Sequence, residues 1–126
     1  MYNFLFCIFV PSKFKTTEME FRTITTMEEF EETLNDNLGV LFYFSTISCN
    51  VGEALEPKVL DLLENNYPKV PFFYVDMNAS PEVSAKNSVF VEPTILVFFD
   101  GKETIRKSRI ISIPDLSNSI SRIYKL

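Results

Sequence analysis

Cys49 stands in Ile47-Ser48-Cys49-Asn50-Val51-Gly52-Glu53, after the apolar run Val40-Leu41-Phe42-Tyr43-Phe44 and before a helix-like run from Ala54 to Tyr67. A thiol placed where a buried strand hands over to a helix meets free backbone N–H groups and the positive end of the helix dipole, both of which favour the thiolate. The chain contains two cysteines and no histidine. Without an imidazole there is no base for Cys-His nucleophilic catalysis, and two thiols are too few to close a tetrahedral zinc site. Thiol exchange is what remains, with no metal and no cofactor expected.

The elements that would position this thiol can be read from the apolar pattern. Phe21 to Ile24 suits a short first strand. Either Thr25-x-x-Glu28 or Thr26-x-x-Glu29 forms a capping box, opening a helix with Met27, Phe30 and Leu34 on one face. Gly39 is expected to end that segment. The runs Val40 to Phe44, Phe72 to Val75 and Ile95 to Phe99 are continuously apolar, as strands are when helices cover both faces of their sheet. Leu55, Val59, Leu62 and Leu63 keep helical spacing after Cys49, and Pro57 within that run predicts a kink because it lacks the backbone donor. Ser80-Pro81-Glu82 starts a short helix ending near Asn87. Asp100-Gly101 reads as a hairpin turn into Thr104 to Ser108, and Leu116, Ile120 and Ile123 form the inner face of a last helix.

These residues resemble the thioredoxin family, whose motif is Trp-Cys-Gly-Pro-Cys followed five residues later by a helix-kinking proline. Pro57 occupies that place, which aligns Cys49 with the attacking cysteine and Gly52 with the resolving one. Val91-Glu92-Pro93-Thr94 is similar to the family's Ile-Pro-Thr, in which the proline is cis and lies against the active-site sulfur. Ile95 to Lys102 resembles the family's fourth strand and the turn into its fifth. The resemblance covers nearly all of Met19 to Leu126. It implies an α/β thioredoxin fold, a central mixed β-sheet flanked by helices on both faces.

The departures from the family pattern concern activity. Gly52 cannot expel a bound substrate, so a mixed disulfide on Cys49 must be resolved by a low-molecular-weight thiol or a cysteine of the partner. Ser48 replaces the tryptophan used in docking substrates, and Asn50-Val51 replaces Gly-Pro. Glu53 stands where many members carry a basic residue, and Glu56 follows one turn later; both oppose a neighbouring thiolate. The family's buried acid corresponds to Tyr43 and its lysine partner to Tyr74, which implies that the internal proton relay is absent. Arg109 aligns with a family glycine near the substrate groove, where it would add positive potential, stand as an ordinary surface arginine, or pair with Glu92. If the Glu92–Pro93 bond is cis, the Glu92 backbone can pair with an extended substrate segment. The acidic side chain of Glu92 would then favour a basic segment. Single-cysteine glutaredoxins are the rival within the fold. They place a lysine shortly before Cys-Gly-Phe-Ser, whereas no lysine follows Cys49 here until Lys58, which argues against glutathione and iron–sulfur cluster binding.

Gross composition fits one domain. A chain of 126 residues with 46% hydrophobic content suffices for a single core. The net charge of −5, with no Lys/Arg cluster, argues against a nucleic-acid partner. Residues 1–18 differ from the rest. The apolar stretch Met1 to Val10 lacks a basic leader and a small-residue cleavage site, and is far short of the roughly 20 residues needed to span a bilayer. Leu5 and Phe6 before Cys7 also exclude a lipoprotein site. Translation starting at Met19, a flexible extension and an export signal are the three explanations for residues 1–18. Lys13, Lys15 and Glu18 are the charges before Met19, which leaves 10 basic against 16 acidic residues, or −6, for 19–126.

The sequence therefore points to a cytoplasmic thioredoxin-like domain over 19–126 that exchanges disulfides through the single nucleophile Cys49. Its oxidoreductase activity would lack the resolving cysteine. Substrate would be held by Ser48, Asn50, Val51, Gly52, Glu92, Pro93 and Arg109. Its partner would be a protein disulfide or peptide, with no membrane involved. A monomer is expected, a dimer linked through Cys49 being the other possibility. The alternative is a redox-silent module that keeps the groove beside Pro93 to bind a protein or peptide.

Overall fold

The computed structural model describes residues 23–46 and 50–124. Nine elements follow one another: β1 (Thr23–Ile24), α1 (Met27–Asp36), β2 (Gly39–Ser45), α2 (Asn50–Asn66), β3 (Phe72–Asp76), α3 (Pro81–Lys86), β4 (Thr94–Phe99), β5 (Lys102–Ser108) and α4 (Ile113–Tyr124). The strands form one mixed sheet in the order β1-β3-β2-β4-β5. β3 runs parallel to both β1 and β2, whereas β4 is antiparallel to β2 and to β5. The parallel pairs are connected through helices, and the antiparallel β4–β5 pair through a two-residue turn, as each geometry requires. Asp100 and Gly101 in that turn have φ of 56° and 76°. Two positive values give the turn whose twist matches the flanking strands.

β2 lies at the centre and all seven of its residues are buried. Because successive side chains leave a strand on opposite faces, its apolar run feeds two cores. Leu41 and Tyr43 join Val59, Leu63, Leu116 and Ile120 beneath α2 and α4. Val40, Phe42 and Phe44 join Phe30, Val83, Leu96 and Phe98 beneath α1 and α3. Phe42 packs 4.4 Å from the Phe30 ring and edge-on to Phe98 at 5.6 Å. Each such fully buried side chain contributes roughly 1.5–3 kcal/mol relative to exposure, which is what fixes the position of β2 and so of the segment leaving its end.

The capping box is the one built on Thr26. The Thr26 hydroxyl accepts from the Glu29 N–H at 3.1 Å, while Glu29 Oε1 accepts from the Thr25 and Thr26 N–H groups at 2.8 and 3.2 Å. These bonds hold the Glu29 carboxyl below its ordinary range, the Thr25 N–H acting most strongly. Gly39 does not terminate this helix. Asn37 caps it in an extended conformation, and Gly39 instead opens β2 opposite Phe99. A Cβ at Gly39 would lie 2.6 Å from that ring, so a glycine is required by close approach. α2 begins four residues earlier than the apolar spacing predicts, at Asn50, and carries Pro57 in its interior. β5 begins two residues earlier than expected, and its register with β4 shifts at Val97/Phe98, where Thr104 is passed over. The Thr104 hydroxyl donates to the Val97 carbonyl at 3.0 Å, so the bulge is held by its own side chain.

Candidate functional site

Three chain segments converge at one end of the sheet: the residues leaving β2, the loop before β4 and the loop after β5. β2 ends at Ser45, and the Thr46 hydroxyl donates to Glu92 Oε2 at 2.9 Å. The Glu92–Pro93 peptide bond is cis, and Pro93 is buried. On its other side the Pro93 carbonyl accepts from the Arg109 N–H at 2.8 Å. One residue on, the Thr94 hydroxyl donates to the Val91 carbonyl at 2.7 Å and lies 3.3 Å from the Ser108 hydroxyl. The Val91–Thr94 loop is therefore tied to β2 on one flank, to β5 on the other, and to itself.

Ser48 and Cys49 lie outside the described residues. Asn50, Val51 and Gly52 form the first turn of α2. Chain order places Cys49 directly before that turn, whose N–H groups have no acceptor within the helix. At Glu92, neither the backbone N–H nor the carbonyl is bonded to any described residue. That leaves an unused donor and acceptor in a half-buried loop whose neighbours are all engaged.

Arg109 corrects one expectation. It forms no ion pair with Glu92, whose carboxylate is instead engaged by Thr46. Its backbone has φ of 66°, and its side chain is exposed. The left-handed conformation turns the residue out of the sheet after β5, which carries the guanidinium away from the loop. The neighbouring cations are already committed: Arg106 binds Glu103 at 2.8 Å and the Asn87 and Ser88 carbonyls, and Lys107 binds Asp115 at 2.7 Å.

Beneath this end of the sheet, Tyr43 and Tyr74 occupy paired positions on β2 and β3, with near-parallel rings 6.2 Å apart. Tyr43 is fully buried. Burial first, then the charges of Asp76, Glu56 and Glu92, push Tyr74 up to about 12, although a hydrogen bond with Ser45 works the other way. Both phenols are therefore neutral at ordinary pH. Sequence spacing placed the two tyrosines in separate strands but gave no sign that they face each other; the parallel register does that.

Two large apolar side chains near this end escaped notice in the sequence. Phe90 is 75% and Ile110 97% exposed. Each is an apolar residue in a connecting segment rather than a strand or helix, which is the signal that would have found them. Among the described residues no group of three His, Cys, Asp or Glu side chains is arranged to hold a metal, and no helix is long and apolar enough to cross a membrane.

The family profile of thioredoxin matches residues 21–122, which spans every element from β1 to the last turns of α4. The chain belongs to the thioredoxin family. Relatives of this thioredoxin-family protein include the thioredoxin-like protein YdfQ of Bacillus subtilis, 25% identical over 107 residues that make up 85% of this chain and 95% of YdfQ. The thioredoxin of Chlamydia trachomatis is 29% identical over 102 residues, 81% of this chain and 95% of its own. Among solved structures, Fasciola hepatica thioredoxin is similar at a TM-score of 0.73 and 30% identity, covering 80% of this chain and 97% of that one. Thiol–disulfide exchange with protein disulfides is the activity of this family. The mixed sheet with helices on both faces is its fold.

Proposed function

We propose that this thioredoxin-family protein exchanges thiols with protein disulfides through Cys49 alone, in the cytoplasm. The observation that carries the reading is the unused backbone N–H and carbonyl of Glu92, held in a loop tied to the ends of both β2 and β5. An extended partner segment can add two main-chain hydrogen bonds there, in the manner of strand addition. Cys49 precedes the first turn of α2 in the chain, and the N–H groups of Val51 and Gly52 stabilise its thiolate. The thiolate attacks one sulfur of the partner disulfide; the bond to the second sulfur breaks, and that sulfur leaves as a thiolate with the electron pair. Gly52 offers no second thiol, so a low-molecular-weight thiol or a cysteine of the partner attacks the mixed disulfide and restores Cys49. Ser48 and Asn50 complete the partner-facing surface.

The absence of an internal proton relay supports slow resolution. Tyr74, in the place of the relay lysine, holds its proton to about pH 12 and supplies no positive charge. The test is capture of partner proteins as mixed disulfides, resolved on gels without reductant. Wild type is expected to accumulate adducts that thiols release. Cys49→Ser should lose them while keeping the wild-type melting curve. Equal adduct formation by both proteins would end the single-thiol reading, and adduct-free binding of the same peptides by both would favour the redox-silent module. A disulfide-linked dimer that disappears in Cys49→Ser would appear on the same gels.

A further inference from the structure

We infer that Phe90, Arg109 and Ile110 form a selective docking surface for a disulfide-bearing polypeptide segment whose cysteine is flanked by a bulky apolar residue and an acidic one. The inference rests on the exchange reading for Cys49 and adds the class of partner to it.

Three observations carry it. Only three large apolar side chains are strongly exposed among the described residues, and two of them are Phe90 and Ile110. Phe90 precedes Pro93 by three residues, Ile110 directly follows Arg109, and the Arg109 N–H to Pro93 carbonyl bond joins the two segments. They therefore flank the unused main-chain groups of Glu92. Exposed apolar side chains gathered around unsatisfied backbone groups are what a peptide-binding edge presents.

The charge comes from Arg109. A non-glycine residue in the left-handed region carries a steric cost, and such outliers gather at functional sites. Here the outlier holds an exposed guanidinium between the two apolar residues' segments, without an ion pair to any described residue. Arg106 and Lys107 on the adjoining strand are engaged by Glu103 and Asp115, so they offer less to an incoming anion. Glu92 would have called for a basic partner, but one of its carboxylate oxygens is already taken by Thr46. The cation left facing solvent thus sets the preference, and it selects a carboxylate. An arginine presents a fixed fork of donors that suits this group better than a lysine would.

The probes are short peptides with a single cysteine carried as a mixed disulfide with thionitrobenzoate. One places leucine and aspartate beside the cysteine, a second has lysine for aspartate, and a third has serine for leucine. Attack by Cys49 forms a bond to the peptide sulfur and releases thionitrobenzoate as a coloured thiolate, with no net oxidation. Wild type should react with the aspartate peptide roughly threefold faster than with the lysine peptide, the size expected of one exposed ion pair. Arg109→Glu should invert that order, and about 1 M salt should erase it. Phe90→Ser and Ile110→Ser should each slow the leucine peptides roughly fivefold and leave the serine peptide unchanged, in line with lost apolar contact. Both side chains are exposed, and circular dichroism checks that the variants stay folded.

Docking is measured separately by fluorescence anisotropy, using fluorescent versions of the peptides with serine in place of cysteine. If no colour is released above the Cys49→Ser background, the exchange reading fails while anisotropy still decides the docking surface. The same aspartate-to-lysine ratio in wild type and Arg109→Glu, by rate and by anisotropy, would overturn the inference.

Discussion

The hydroxyl of Thr46 donates to Oε2 of Glu92 across 2.9 Å, joining the residue that follows β2 to the loop that precedes β4. The two residues are 46 positions apart in the chain, yet the bond is the side-chain link by which the central strand sets the position of the Pro93 loop. A hydrogen bond to a charged acceptor contributes more than one between neutral groups, but partial exposure reduces that advantage.

Thr46→Val keeps the shape of the side chain and removes the donor. Stability should fall by about 1 kcal/mol, measured by urea unfolding. Exchange with peptide disulfides should slow by more than that loss of folded protein explains, because the Glu92 backbone groups are no longer held in place. An exchange rate equal to wild type would show that Pro93 and its bond to Arg109 position the loop without Thr46.

Tyr74 gives an alkaline signature. Its folded-state value of about 12 lies above the ordinary phenol value of about 10. The folded chain therefore binds this proton more tightly than the unfolded chain. The resulting stability is fully present below pH ~10 and is lost as pH rises through about 12. Ultraviolet titration of the tyrosines should show a late ionisation that is missing in Tyr74→Phe. Thermal unfolding of that variant should depend less steeply on pH above about 10.

Arg109 holds a conformation that glycine adopts without steric cost. Arg109→Gly should raise stability by about 0.5–1 kcal/mol, net of the extra freedom glycine gives the unfolded chain. Arg109→Ala keeps the Cβ and should leave the melting temperature near that of wild type. Equal melting temperatures for the glycine and alanine variants would show that the turn after β5 imposes no strain at this position.

Much of this architecture was legible in local patterns. The three apolar runs that became β2, β3 and β4 were read to within one residue at each end, because strands buried on both faces need no alternation to reveal them. The Thr26–Glu29 box, Pro81 at the start of α3 and the Asp100-Gly101 turn are short-range chemistry and were equally plain. What escaped was long-range or conformational. Gly39 looked like a helix stop because its real constraint, the ring of Phe99, is 60 residues away in sequence. The start of α2 was placed late because Asn50 to Glu53 carry no apolar repeat, and helix formation there is directed by the elements around it. The Thr46–Glu92 bond, the stacking of Tyr43 on Tyr74 and the positive φ of Arg109 all depend on strand register. Resemblance to the thioredoxin family supplied the Pro93 loop and the rank of Cys49, which spacing alone did not single out as a partner-binding pair.

The central claim is that the Cys49 thiol ionises readily before the first turn of α2, and its alkylation rate as a function of pH tests this most directly. With Cys7→Ser removing the second thiol and mass spectrometry locating the adduct, the account predicts a rate that reaches half its plateau below the ordinary thiol value of about 8.5. A midpoint at or above that value would contradict it and leave the fold as a binding module without thiol chemistry.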